Sequence, residues 1–250
     1  MSGVAIVSGA AQGLGLAFAE KLVQEGFVVL GFDVKDSVQS IPGIHGIVAD
    51  VSLREDVERV VSAAAALGGI KVLVNNAGTW KKTPVDSDWT TALADWDFIM
   101  DTNLKGVLML SRLVVPHLQK SGGGHIINLS SYYVLPAKSD GTNPPDTDLY
   151  NASKWALNGF TDAWAKYLEK DGIKVNGMCM GAVDTPMLRG LFPDNELPPG
   201  LAENVMSAET IAQQMVDIME SGRSGENFGA WVGEPVGLGD VPPLHKQITG

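Results

Sequence analysis

The sequence predicts an α/β protein whose strands and helices alternate around a parallel sheet. Three observations predict it. Short apolar runs rich in β-branched residues, at Val4 to Ser8, Phe27 to Phe32, Ile44 to Ala49, Ile70 to Val74, Gly124 to Leu129 and Ile173 to Cys179, have the length and composition of buried strands. Longer stretches with apolar residues at helical spacing lie between them, as βαβ units require. The residues that look chemical gather just past the strands, where the crevice of an open α/β sheet lies.

The first strand runs into GAAQGLG, with Gly9, Gly13 and Gly15 spaced GxxxGxG and Gln12 and Leu14 between them. A helical pattern follows, with Leu16, Ala19, Leu22 and Val23 on one side. Strand, glycine turn and helix together aim backbone N–H groups and the positive end of the helix at a phosphate. The same glycines would also serve a purely structural turn. The second strand ends at Asp33, eighteen positions after Gly15. A carboxylate at that spacing suits an adenosine ribose and repels a 2′-phosphate, which favours NAD over NADP. Lys35 lies close enough to soften that preference.

The third strand leads to Asp50 and Val51. The helix over Leu53 to Leu67 turns Val57, Val60, Val61 and Ala64 inward. The fourth strand runs into Asn75, Asn76, Ala77 and Gly78. From Trp89 to Gln119 the pattern is helical throughout, with Asn103 inside it. Asparagine is a mediocre helix former, so this one could bond the backbone of the NNAG turn, kink the helix or hold a water, although an isolated asparagine there reads first as solvent-facing. The fifth strand ends in Ser130 and Ser131, hydroxyls suited either to a substrate oxygen or to turn backbone. A polar loop with three prolines, Leu135 to Leu149, precedes the next helix.

That helix, which should run to about Lys170, opens with LYNASKWALN. Tyr150 and Lys154 are four positions apart and share a face. A fixed ammonium beside a phenol favours the phenolate and draws its pKa down from near 10. A tyrosine so placed is fit for general acid or base work, although YxxxK also occurs as an ordinary surface pair.

Together SGAAQGLG, Asp33, Asp50-Val51, NNAG at Asn75 to Gly78, Asn103, the Ser131 strand end, YNASK at Tyr150 to Lys154 and GAVDTPM at Gly181 to Met187 resemble the short-chain dehydrogenase/reductase family, from Val4 to about Trp231. The resemblance implies one doubly wound Rossmann domain over residues 1–250, with a mostly parallel seven-stranded sheet. It implies Tyr150 as general acid/base and Lys154 lowering its pKa and holding the nicotinamide ribose. Ser131, preferred to Ser130, would orient the substrate oxygen, and Asn103 would support a water in a proton relay. On the cofactor side it implies Asp50 at the adenine, Asn76, Ala77 and Gly78 beside the adenosine, and Val183 and Thr185 at the carboxamide. The implied activity is hydride transfer between NAD and a secondary alcohol or ketone.

Three departures from the family pattern stand out. The segment between Ser131 and Tyr150 is long, Met180 replaces a proline and should leave its turn less rigid, and the tail over about 234–250 reads as an extended arm. The stretch 186–206 corresponds to the family's substrate loop. Met187, Trp80 and Tyr133 are expected at the substrate, which suggests a hydrophobic or cyclic one, although aromatics suit a core or a subunit contact equally.

Composition narrows the remaining choices. Eighteen basic against 29 acidic residues give a net charge of −11, with no basic run, which argues against nucleic acid or an anionic membrane as partner. No apolar run is long enough to span a bilayer, and the N-terminus lacks a leader pattern, so we expect a cytoplasmic protein. A single cysteine, Cys179, excludes an internal disulfide and a cysteine-based zinc cluster, and no metal is expected. The helices around Trp96 to Leu118 and Trp155 to Leu168, apolar on more than one side, suit a homodimer or homotetramer. Rival expectations are an NADPH-dependent carbonyl reductase, an epimerase of the same superfamily and a non-catalytic dinucleotide sensor.

Overall fold

The computed structural model describes residues 3–134 and 144–230. Its seven strands are β1 (Val4–Ser8), β2 (Val28–Asp33), β3 (Ile44–Val48), β4 (Ile70–Asn75), β5 (Gly124–Leu129), β6 (Ile173–Met180) and β7 (Asn227–Ala230). They form one sheet in the order β3-β2-β1-β4-β5-β6-β7, and every pairing is parallel. The order reverses between β1 and β4, so a crevice opens beyond their carboxyl ends. The seventh strand falls on NFGA, too short and too polar to show in a hydrophobic pattern.

The helices are α1 (Gly13–Gln24), α2 (Arg54–Leu67), α3 (Trp89–Met100), α4 (Val107–Lys120), α5 (Asp148–Leu168), the short α6 (Pro186–Arg189) and α7 (Pro199–Ala202), and α8 (Ala208–Glu220). Side chains alternate across a strand, so β1 sends Ala5 and Val7 to one layer and Val4 and Ile6 to the other. The first layer packs against Phe18 and Leu22 of α1 and Ile211 and Met215 of α8. The second meets Val57 and Val60 of α2, Leu110 and Val114 of α4 and Leu168 of α5. Burial on both faces explains why the inner strands read as unbroken apolar runs.

Two expectations are corrected. The single helix over Trp89 to Gln119 is α3 and α4 separated by a π-helical segment, Asp101–Gly106, that contains the buried Asn103. Gly106 lets this segment cross the Asp50-Val51 turn, because a Cβ there would stand 2.9 Å from both Val51 methyls. Met180 does not loosen a turn. It extends β6 by one residue and stands in register with Ala230, in a ladder to which proline could not donate. Most of the expected insertion, residues 135–143, and the arm at about 234–250 lie outside the described residues. Among the described residues, no helix is long and apolar enough to cross a membrane.

Candidate active site

A cleft of about 770 Å³ opens beyond the strand ends. It brings together every residue expected at the cofactor and the substrate, together with Ser131, Tyr150 and Lys154. Asn103 stands just behind its wall.

At one end is the glycine turn. Gly9 and Gly13 have φ of 67° and 56°, in the left-handed region that costs a side chain dearly. Gly15 is required by proximity, since a Cβ would lie 1.9 Å from the Gly9 carbonyl oxygen. Ser8, which opens the SGAAQGLG motif but was assigned no role there, ties this turn to the NNAG turn. Its hydroxyl donates to the Val74 carbonyl at 3.3 Å and accepts the amides of Asn76 and Ala77, both at 2.9 Å. Asn76 Nδ2 returns the contact by donating to the Ser8 and Gly9 carbonyls at 2.9 and 3.2 Å. The two turns therefore form one rigid wall. The first turn of α1 carries no acidic residue and no side-chain cap, so its free amides and the helix dipole face the cleft as an anion site.

Asp33 stands beside this wall at the end of β2. Its Oδ2 accepts the Ala11 amide at 3.1 Å and its Oδ1 the Lys35 amide at 3.0 Å, which fixes the carboxylate while leaving lone pairs for a ligand. Lys35 Nζ is turned onto Gln12 Oε1 at 2.6 Å. Asp50 Oδ1 holds its own turn through the amide and hydroxyl of Ser52, at 2.8 and 2.7 Å.

Tyr150 and Lys154 occupy the other end. Lys154 is buried, and its Nζ donates to the Leu129 carbonyl at 2.7 Å while lying 5.6 Å from the Tyr150 ring centroid. Ser131 Oγ accepts the Tyr133 amide at 3.3 Å and stands close enough to Tyr150 to act on its pKa, whereas Ser130 turns inward to the Lys154 carbonyl and Asn158. The expected acidification of the phenol is not what the protein produces by itself. Burial pushes Tyr150 up to about 12, and the Ser131 hydrogen bond offsets only part of this. The ammonium is committed to Leu129 and is itself pulled down to about 8 by burial. Desolvation thus outweighs the charge pairing on which the sequence argument rested. Cys179 lies close behind, and burial raises its thiol to about 12, so it remains protonated and is no nucleophile at neutral pH.

Asn103 explains the π segment. Its Oδ1 accepts the Thr79 amide at 2.7 Å, and its Nδ2 donates to the Thr79 carbonyl at 3.0 Å and to Ser153 Oγ at 3.1 Å. Ser153 donates in turn to the Tyr150 carbonyl at 2.7 Å. Of the alternatives open for this asparagine, the distorted helix is realised; the side chain is buried and not solvent-facing, and its backbone bonds go to Thr79, the residue just past the NNAG turn.

On the substrate side, the Tyr133 ring stands edge-on to Tyr150 at 6.2 Å, and burial holds its hydroxyl protonated. Trp80 forms a neighbouring wall, and the half-exposed Met187 and Leu191 stand at the mouth. The loop that carries them is pinned at its base, where Met206 bonds Ala182 and Asp184 at 3.1 and 2.9 Å. Gly13 lies so near Thr185 and Pro186 that a Cβ would meet both at 3.4 Å, so the start of the loop reaches over the glycine turn. Phe98 of α3 also lines the cleft, and no sequence signal distinguished it from a core residue.

A model of the short chain dehydrogenase family matches residues 3–196. The chain belongs to this family. An uncharacterized oxidoreductase of Staphylococcus epidermidis is 33% identical over 195 residues, 75% of this chain and 80% of that one. The 3-oxoacyl-[acyl-carrier-protein] reductase of Thermotoga maritima is 34% identical over 198 residues, 75% of this chain and 77% of that one. Two solved structures, each 24% identical, share the fold. One is a 3-ketoacyl-(acyl-carrier-protein) reductase from Brucella melitensis complexed with NADH, at a TM-score of 0.77 over 92% of this chain and 97% of that one. The other is the aldohexose dehydrogenase of Thermoplasma acidophilum, at 0.81 over 92% of both chains. Short-chain dehydrogenases use a nicotinamide dinucleotide, and the present residues fit one: amides for a pyrophosphate, a carboxylate for a ribose, and a cleft long enough to join them to Tyr150.

Proposed function

We propose that the protein is an NAD-dependent oxidoreductase that interconverts a secondary alcohol and a ketone, with Tyr150 as general acid/base. The observation that carries this reading is the placement of the Tyr150 side chain, beside Ser131 and one turn from Lys154, at the far end of a cleft that begins at the glycine turn. When bound, the nicotinamide supplies the hydride acceptor or donor. Ser131 orients the substrate oxygen and Tyr150 Oη moves its proton. Lys154 holds the nicotinamide ribose and Asn103 keeps the Tyr150 turn in place. A phenol near 12 holds its proton firmly, so ketone reduction proceeds from the resting form and alcohol oxidation requires added positive charge nearby.

The carboxylate of Asp33 supports NAD over NADP, because a 2′-phosphate there would meet a like charge. Reduction with NADPH is the second reading, favoured by Lys35, which could leave Gln12 for a phosphate, and by the ketone reductase among the relatives. Val183 and Thr185, which line the cleft, would meet the carboxamide. Trp80, Tyr133, Met187 and Leu191 support a hydrophobic or cyclic substrate. We further propose a cytoplasmic homo-oligomer, supported by the free cysteine and by the exposed Trp89, Trp96 and Trp155 on α3 and α5.

The test is to mix purified protein with NAD and a panel of alcohols, and with NADH or NADPH and the matching ketones, and to follow absorbance of the reduced cofactor. Tyr150→Phe should keep cofactor binding and lose most turnover. Full turnover in that variant would remove Tyr150 from the mechanism.

A further inference from the structure

The helix that carries Tyr150 is not capped by its N-cap residue. Thr147 occupies the N-cap position of α5, yet its hydroxyl donates backwards to the Pro144 carbonyl at 2.9 Å and caps nothing. The contact comes instead from Thr83, a buried residue in the segment leaving β4. Thr83 Oγ1 donates to Asp148 Oδ1 at 2.6 Å, and the two oxygens share the Leu149 amide, Asp148 Oδ1 at 2.7 Å and Thr83 Oγ1 at 3.4 Å. The Thr83 amide donates to the Asp146 carbonyl at 2.6 Å, Thr83 and Thr147 pair as an isolated parallel bridge, and Lys82 forms an ion pair with Asp146 at 2.8 Å.

The same short segment is fastened to α5 a second time. Thr79 is held at both its amide and its carbonyl by Asn103, which also bonds Ser153, the residue whose hydroxyl donates to the Tyr150 carbonyl. Residues 79 to 83 thus bracket Tyr150, gripping the Leu149 amide on one side and reaching the Tyr150 carbonyl through Ser153 on the other. Trp80, in the middle of the strap, lines the cleft, and Lys81 anchors it to the buried carboxylate of Asp95 on α3. The depth at which the phenol stands is therefore set from outside α5, by the chain that also forms the cofactor-side turn.

We propose that Thr83 is a positioning residue for proton transfer at Tyr150, its hydroxyl setting the first turn of α5 relative to Ser131 and Lys154. This rests on the acid/base reading of Tyr150. Valine matches threonine in shape and lacks the hydroxyl, so Thr83→Val takes from Asp148 Oδ1 the donor that ties it to the segment leaving β4, and leaves it only the Leu149 amide, while filling the same space.

The experiment compares Thr83→Val, Thr83→Ser and Tyr150→Phe with the unaltered protein. It reads kcat, KM and the pH profile of kcat on the fastest ketone of the panel, and NADH affinity by fluorescence. Thr83→Val should lower kcat about tenfold, well within the roughly hundredfold that a 1 Å misplacement can cost, with KM and NADH affinity little changed. The limb of the pH profile that reports the phenol should move, and Thr83→Ser should restore both properties. Asp148→Ala, at an exposed position, removes the other half of the contact without touching the core and should move kcat and the profile in the same direction; it carries the test if Thr83→Val does not fold. Unchanged kcat and profile in a folded Thr83→Val or Asp148→Ala protein, or a serine variant no better than valine, would overturn the proposal. So would NADH affinity falling in parallel with kcat, which marks general collapse of the site. If Tyr150→Phe is inactive while Thr83→Val is normal, only the role of Thr83 is lost. If Tyr150→Phe turns over normally, the acid/base reading fails and takes this proposal with it.

Discussion

Gly15 offers the sharpest test of the cofactor wall. A Cβ built there lies 1.9 Å from the Gly9 carbonyl oxygen and 2.5 Å from Asn76 Nδ2, so an ordinary separation of about 3 Å requires α1 or the glycine turn to move by roughly 1 Å. Movement of that size disturbs the two bonds that Asn76 Nδ2 makes to the Ser8 and Gly9 carbonyls. Overpacking typically costs about 1–3 kcal/mol, and a buried polar group left unpaired about 1–3 kcal/mol more, so Gly15→Ala should destabilise the protein by roughly 2–6 kcal/mol. It should also displace the first-turn amides and weaken NADH binding by at least about tenfold, because an amide array acts only when aimed. Urea unfolding and fluorescence titration with NADH measure the two effects. Gly159→Ala is the internal control. It lies on the exposed side of α5 with nothing within 4 Å of its Cβ position, and should stabilise the protein by about 0.5–1 kcal/mol without affecting NADH binding. A Gly15→Ala protein that binds NADH like the wild type would refute the view that this close approach shapes the cofactor wall.

Three further outcomes are expected. His125, at the amino end of β5, is pulled down from 6.5 to about 4, first by burial and then by Lys174 and Lys71, and its Nδ1 has no partner among the described residues. The unfolded chain therefore takes up this proton before the folded one, so the stabilisation is complete above pH 6.5 and is lost as pH falls towards 4. The loss is at most about 3 kcal/mol, less what partial exposure of the ring takes off; urea unfolding between pH 7 and 4 should show the fall, and His125→Leu should flatten it. Asp33→Ala should weaken NADH and spare or improve NADPH; equal losses for both would deny the carboxylate its selective role. Light scattering after size exclusion should show a dimer or tetramer, and a stable monomer would leave the exposed tryptophans of α3 unexplained.

The sequence by itself determined the sheet, the cleft's position and the identity of most residues that line it. These depend on local signals: strands buried on both faces read as apolar runs, and glycines are required where backbone meets backbone. Asn103, out of place in a helix, left a kink as one reading among several, and only its burial against Thr79 and Ser153 selects it. Ser131 and Ser130 are adjacent and chemically alike; the family pattern prefers Ser131, and the structure gives the physical difference, Ser131 lining the cleft beside Tyr150 while the Ser130 hydroxyl bonds the Lys154 carbonyl and Asn158. The state of Tyr150 was misjudged for a related reason. The four-residue spacing sets its distance from Lys154, but the cost of removing the phenolate from water, and the diversion of the ammonium to the Leu129 carbonyl, depend on groups from β5 and beyond. Ser8 and Thr83 were assigned no role because a hydroxyl carries no signature of what it will bond, and their partners lie more than sixty residues away in sequence. Covalent spacing decides which groups share an element; only the packing of elements against one another decides which of them lose water and which find partners, and the chemistry of the cleft follows from that.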